Sequence, residues 1–262
     1  MKNKFKTNSN NIVMFTKFII NYQDNLFDEL SNVTSFEEII KGRLGAVLVD
    51  CQTNLIPIVR TTSMYSCPVQ LFSQIHYDII KKIRDVTNMP QLKFNNALVE
   101  IYNSRYRTMG YHSDQSLDLD SDSYICIFSC YDNPNDIRKL QVKKKNSDEL
   151  FEIQLEHNSC ILFSVSTNSE YLHRIVLENN TSNNRWLGIT FRFSKSFVEF
   201  IDKIPYLNQK ELTVATDKEK KEFYEYRSNE NKNISYIYPE INYTISRSDI
   251  LAPLDNDFFI KK

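Results

Sequence analysis

After Pro90 the apolar residues alternate with polar ones, and they keep alternating to about residue 193. A period of two is the signature of a strand with one face turned inward. Seven runs carry it: 97–102, 124–131, 137–144, 150–155, 160–164, 171–177 and 186–193. The linkers between them are rich in Asn, Asp, Ser and Pro, the residues that turn a chain. So many short, closely spaced strands cannot be buried as one flat layer. The pattern predicts a mainly β (α+β) chain in which an antiparallel double-sheet barrel occupies about residues 92–195.

The front of the chain has a different rhythm. Residues 11–45 read as helical, with Phe27 and Leu30 on one face, and "SFEE" at 35–38 reads as a capping box that opens a short helix. Residues 45–52 and 55–65 read as extended. Residues 68–86 form the best helical pattern, with Pro68 in the first turn and a stripe of Phe72, Ile75, Ile79, Ile83 and Val86. His76 falls beside that stripe and reads as a structural histidine. The helices of residues 11–90 would buttress one side of the barrel, giving a domain over 1–205. From about Asn208 the chain becomes strongly charged and helical, then aromatic again. Residues 206–262 therefore read as an extension, either packed on the domain or free to bind a protein partner.

Composition narrows the chemistry. Four glycines and no glycine-rich phosphate loop exclude the common nucleotide-binding motifs. A net charge of −1 gives no global pull on nucleic acid, so any basic surface must be local. The five cysteines, Cys51, Cys67, Cys126, Cys130 and Cys160, are scattered and odd in number, which suits reduced thiols. With no signal-peptide pattern and no long apolar run, the expected location is intracellular, cytoplasmic or nuclear, without a membrane.

The informative stretch is "YHSDQ" at 111–115. His112 and Asp114 stand at i and i+2, so at a strand end both project to the same side. Two imidazoles and one carboxylate on one face of an ion form the Fe(II) site of oxygen-activating enzymes. The third donor must come from a distant strand. His173 lies in such a strand, whereas His157 sits in a turn. The last strand, "RWLGITFRFS", adds two arginines, each able to grip a carboxylate in bidentate fashion. An acidic co-substrate such as 2-oxoglutarate has a carboxylate at each end. Strict alternation puts Arg192 and Arg185 on opposite faces. A bulge at the isolated Gly188 would bring Arg185 back beside Arg192.

These pieces resemble the AlkB family of Fe(II)/2-oxoglutarate dioxygenases over about residues 56–195. "YHSDQ" is similar to the family's iron motif, "LEHNSCILFS" to the strand before the distal histidine, and "RWLGITFRF" to its arginine signature. "FNNALVEIY" resembles the stretch ending in a tyrosine that holds 2-oxoglutarate, which implies that role for Tyr102. "VRTTSMYS" resembles the segment near the nucleobase lid and maps Arg60, Thr62 and Tyr65 to it. The resemblance implies a double-stranded β-helix, of the jelly-roll or cupin-like kind. It implies Fe(II), 2-oxoglutarate and O2 as cofactors, and His112, Asp114 and His173 as both metal ligands and catalytic residues. Glu100 departs from the pattern, standing where repair enzymes carry an asparagine. A carboxylate beside a dianion is unfavourable unless paired, so Glu100 is expected to pair with an arginine or turn aside.

The expected activity is oxidative demethylation of alkylated nucleobases in single-stranded DNA or RNA. Arg60, Tyr65 and Tyr111 would contact the substrate, with Tyr65 and Tyr111 as stacking rings. Arg138, Lys139 and Lys143–145 read as a local basic patch for phosphates or as a solvated hairpin. The alternatives are a hydroxylase of the same mechanism acting on a protein or small molecule, or a silent relative that only binds.

Overall fold

In the computed structural model the described residues are 3–5, 14–22, 25–51, 53–133, 137–178 and 184–254. In chain order they form β1 (Asn3–Phe5), β2 (Phe15–Ile19), α1 (Leu26–Val33), β3 (Glu37–Ile40), β4 (Arg43–Val49), β5 (Leu55–Pro57), β6 (Gln70–Leu71) and α2 (Gln74–Thr87). Next come β7 (Asn96–Tyr102), β8 (Tyr124–Tyr131), β9 (Lys139–Lys144), β10 (Leu150–Gln154), β11 (Ser159–Ser164), α3 (Val165–Glu170), β12 (Tyr171–Val176) and β13 (Trp186–Arg192). The chain ends with β14 (Phe197–Ile201), β15 (Ile204–Leu207), β16 (Lys210–Glu211), β17 (Thr213–Val214), α4 (Asp217–Lys232), β18 (Tyr243–Thr244) and a 3-10 turn at Arg247–Ile250.

All seven expected strands are present. The large sheet runs β1-β2-β11-β8-β13-β7-β4-β3, with β6 added beside β4, and a smaller sheet runs β10-β9-β12. Alternation sorts the side chains of the large sheet between two cores. Ala97, Val99, Ile101, Cys126, Phe128, Leu187, Ile189 and Phe191 face outward onto α1 and α2, packing against Phe27, Leu30, Ile79 and Ile83. Tyr102, Ile125, Ile127, Ile161, Phe163 and Trp186 face inward and meet Leu140, Val142, Ile153, Tyr171 and Ile175 of the smaller sheet. This is the double-stranded β-helix: two sheets face to face, with helices covering the outer face of one. No helix among the described residues is long and apolar enough to cross a membrane.

The N-terminal part departs from the expectation of helix over 11–45. Only Leu26–Val33 is helical, with Phe27 and Leu30 buried on one face as anticipated. Phe15–Ile19 instead joins the large sheet along β11, while residues 11–13 and 23–24 lie outside the described set. "SFEE" does not start a helix. Glu37 and Glu38 lie in β3, paired with Gly45 and Leu44 through a turn at Gly42, whose φ is +87°. The Glu37 carboxylate accepts from the Ser66 and Cys67 amides instead of capping its own chain. Strand pairing outweighs a local preference of under 1 kcal/mol per residue.

The long helix likewise starts later than Pro68. Gln70 and Leu71 pair in parallel with Leu48 and Val49, so α2 begins after Ser73. The Ser73 amide donates to His76 Nδ1 at 3.0 Å, closing a capping box. His76 is thus structural, and 1% exposed. The helix ends at Asn88 in a left-handed conformation (φ 58°).

The C-terminal residues pack against the barrel. β15 pairs with β14, which in turn joins β5. Phe223, Ile241, Tyr243 and Ile245 make a small core of their own. α4 then reaches the loop after β7, where the site lies.

Candidate metal centre

His112 and His173 are joined through their backbones. Outside any continuous ladder, His112 N–H donates to the His173 carbonyl at 3.0 Å and His173 N–H donates back at 2.6 Å. Residues that exchange both bonds stand directly opposite, so their side chains leave on the same face. The ring centroids are 4.8 Å apart. Asp114 comes round to the same side. His112, Asp114 and His173 each offer one donor atom, and the three atoms lie within 4.8 Å of one another. The sequence reading placed these three together, and the structure brings them together.

Each member is held by neighbours. Gly110 O lies 2.9 Å from His112 Nδ1. A carbonyl can only accept, so Nδ1 carries the proton and Nε2 keeps its lone pair. The Asp114 amide donates to Asn168 Oδ1 at 2.8 Å, and Asn168 Nδ2 donates to the Asp114 carbonyl at 2.7 Å. Arg192 Nε donates to Asp114 Oδ2 at 2.9 Å, which leaves Oδ1 turned toward His173 Nε2 at 3.7 Å. From α4, Asn231 Oδ1 accepts from the Ser113 amide and hydroxyl, and Glu230 Oε1 accepts from those of Ser116.

The protonation states suit a cation. Burial, with His173 and Arg227 nearby, pushes the His112 imidazole down to about 3. Burial also lowers His173. Burial alone would raise Asp114, but Arg192 and His173 outweigh it and hold the carboxyl below the usual range. Two neutral imidazoles beside one carboxylate are the donor set and charge that a ferrous ion takes. The residues fit the metal.

The centre opens into a cavity of about 310 Å³. Its floor is the inner face of β4, β7 and β13, where Tyr102 stands between Arg43 and Trp186, and Glu100 between Gly45 and Gly188. Tyr102 and Arg192, to which the sequence reading gave the co-substrate, both line it. Glu100 pairs with an arginine, one of the two outcomes expected for it. Arg43 Nε donates to Glu100 Oε1 at 2.6 Å.

Arg185 is not there. β13 pairs with β7 and with β8 without a register shift, so no bulge forms. Arg185 stays on the far side, half exposed, bound to Asp132 Oδ2 at 2.7 Å and lying over the Phe27 ring. Gly188 serves another purpose, since a Cβ there would lie 1.9 Å from the Trp186 ring. The glycine makes room for the indole.

Of the three residues expected at the substrate, Tyr111 lines the cavity, with the Arg174 guanidinium 4.3 Å from its ring centroid. Arg60 and Tyr65 do not line it. Arg60 is buried, bound to Asp118 at 2.7 Å and to the carbonyls of Ile241 and Tyr243. It anchors the C-terminal segment. Tyr65 is buried against Gly45, its amide donating to Ser246 Oγ. Thr62 does reach the cavity. Of the basic patch, Lys143 is exposed and Lys144 lies over the Tyr171 ring, while the other members are engaged elsewhere. Arg138 is buried on the carbonyls of Tyr106 and Asn103, Lys145 is buried on the Glu230 carbonyl, and Lys139 is paired with Glu152 and Glu178.

Sequence reasoning missed Arg43, Asn168, Arg227, Glu230 and Asn231. Arg43 was legible only in part, through the demand that Glu100 find a cation.

The family model described as the 2OG-Fe(II) oxygenase superfamily matches residues 53–192. No curated protein matches the chain. Among solved structures 170 chains match. One, described as "The structure of OsALKBH1", is 14% identical with a TM-score of 0.49, covering 68% of this chain and 96% of that one.

Proposed function

The chain belongs to the 2OG-Fe(II) oxygenase superfamily, whose model spans over half of it, and from that premise we propose an AlkB-like dioxygenase whose iron is held by His112, Asp114 and His173. It is an oxidoreductase that uses Fe(II), 2-oxoglutarate and O2. The observation that carries the site assignment is the convergence of three donor atoms within 4.8 Å at the mouth of a cavity. When bound, iron with 2-oxoglutarate and O2 supplies oxidation of a C–H bond, coupled to decarboxylation to succinate and CO2.

The chain's own residues fix and shield that chemistry. Arg192 orients the Asp114 carboxylate, and the Gly110 carbonyl sets the His112 tautomer. Leu98, Ile127 and Ile175 give the cavity an apolar wall that keeps water away from the reacting bond. At its edge the Tyr111 ring, backed by Arg174, offers a flat face. A flipped or unpaired base stacks on such a face.

The proposed substrate is therefore an N-methylated base in single-stranded DNA or RNA, which is restored in the strand as its methyl carbon leaves as formaldehyde. The dispersal of the basic patch favours a second reading, a small-molecule or protein substrate for the same chemistry. The test is succinate and formaldehyde release with methylated single-stranded oligonucleotides, beside Asp114→Ala. Succinate without formaldehyde across the panel would remove the nucleobase; loss of both in the wild type would remove the site assignment.

A further inference from the structure

2-Oxoglutarate has two anionic ends, and the cavity was expected to meet them with two arginines from one strand. Arg185 is outside, and Arg192 is committed to Asp114. The remaining cavity arginines are Arg43 and Arg227. Arg227 comes from α4, and its Nη1 is held by Glu230 at 3.1 Å. Arg43 stands on the cavity floor beside Tyr102, its direct cross-strand partner.

Three donors converge beside Tyr102. Arg43 Nε and Nη2 lie 2.6 Å and 2.5 Å from Glu100 Oε1, and Tyr102 Oη donates to Glu100 Oε2 at 2.7 Å. The guanidinium is fixed further by Ser63 Oγ at 3.1 Å and by the rings of Tyr102 and Tyr106, 5.9 Å and 5.8 Å away. This is a preorganised carboxylate site, and the carboxylate now in it belongs to the chain itself. On either side of Glu100 the floor carries a glycine, and the Tyr65 and Trp186 rings close over those two positions.

We propose that Arg43 and Tyr102 anchor the distal carboxylate of 2-oxoglutarate, and that Glu100 is a built-in occupant of that anchor which the co-substrate must displace. The proposal rests on the co-substrate occupying this cavity. Glu100 then tunes affinity. A second carboxylate competes for the same donors and repels the incoming one at short range. The 2-oxo acid end, away from the anchor, is indifferent to both residues.

The test compares 2-oxoglutarate with 2-oxopentanoate, which keeps the 2-oxo acid end and ends in a methyl group. Binding is measured anaerobically by calorimetry on the Fe(II)-loaded full chain. Glu100→Gln should tighten 2-oxoglutarate about 10-fold and leave 2-oxopentanoate unchanged. Adding Arg43→Met to Glu100→Gln avoids a stranded buried carboxylate. It should weaken 2-oxoglutarate by about 10- to 100-fold relative to Glu100→Gln, the range of a lost charge-assisted pair. Unchanged 2-oxopentanoate binding shows that the double variant is folded. If the preference between the two acids survives both changes, or vanishes with Arg227→Met instead, the anchor is elsewhere. If the wild type binds neither acid, the co-substrate reading and the anchor both fall.

Discussion

Asn231→Ala tests whether the C-terminal helix supports the metal ligands. Asn231 Oδ1 accepts from the Ser113 amide at 3.1 Å and from its hydroxyl at 3.3 Å. Ser113 is completely buried and lies between His112 and Asp114. Removing the acceptor strands a buried N–H, at a cost of about 1–3 kcal/mol. For a chain of this size that is a fall of about 2–10 °C in Tm. The amide will seek another acceptor, rotating the peptide that carries both ligands. Loss of such outer support weakens metal binding by about 10- to 100-fold. Thermal unfolding gives the first quantity, and Mn(II) titration of the apo protein gives the second. Asn231→Asp keeps the acceptor and should restore most of the metal affinity. A lowered Tm with unchanged Mn(II) affinity would show that Asn231 only fastens the helix, and the support argument would fail.

Arg185→Ala should leave 2-oxoglutarate affinity within about twofold by calorimetry, and lower stability by at most ~1 kcal/mol, because its ion pair is half exposed. A large loss of affinity would reinstate it as a clamp. Gly188→Ala puts a methyl group into the Trp186 ring and should destabilise by about 1–3 kcal/mol; the single tryptophan makes its emission spectrum a direct reporter, and an unshifted spectrum would contradict the packing. His76 is buried neutral, its imidazole pushed down to about 4 by burial from 6.5. The folded value is the lower one, so its contribution is complete above 6.5 and lost as pH falls through 4, up to about 3 kcal/mol. His76→Gln keeps an acceptor for the Ser73 amide and should flatten urea-measured stability across that window; an unchanged slope would show that other groups dominate acid unfolding.

The strands of the smaller sheet were legible because one face is buried and the other partly open, and a period of two is the direct imprint of that. β7, β8 and β13 are buried on both faces and read instead as nearly continuous apolar runs. The ligands were legible for a related reason. His112 and Asp114 stand at i and i+2, His173 falls in a strand, and the resemblance to the AlkB family joined the three. What failed depended on partners far away in sequence. Nothing within "SFEE" reveals that Gly45 and Leu44 will pair with it, nor that Ser66 and Cys67 will claim the Glu37 carboxylate. The bulge at Gly188 was a fair inference from a lone strand glycine. Close approach by an indole two residues away on the same face explains the same glycine, and only the three-dimensional packing separates the two. The docking of α4 carried no local signal, since Glu230 and Asn231 look like any polar helix surface.

Charge shows why a global property misleads at such a site. The chain carries a net −1, yet the cavity sets Arg43, Arg192 and Arg227 against Glu100 and Asp114, with both imidazoles neutral. Arg227 pairs in turn with Glu230 at 3.1 Å, so three arginines meet three carboxylates and the charges cancel. A ferrous ion adds two, and a 2-oxoglutarate dianion cancels them. Local charge still matters in a low-dielectric space where screening is weak. Arg227 reaches the cavity from α4, whereas Arg192 and Arg43 are tied to carboxylates of the barrel. Neutralising Arg227 should then raise KM for a phosphate-bearing substrate about 10-fold while leaving 2-oxoglutarate binding unchanged. An unaltered KM would mean that Arg227 only holds Glu230, and that substrate is chosen by shape alone.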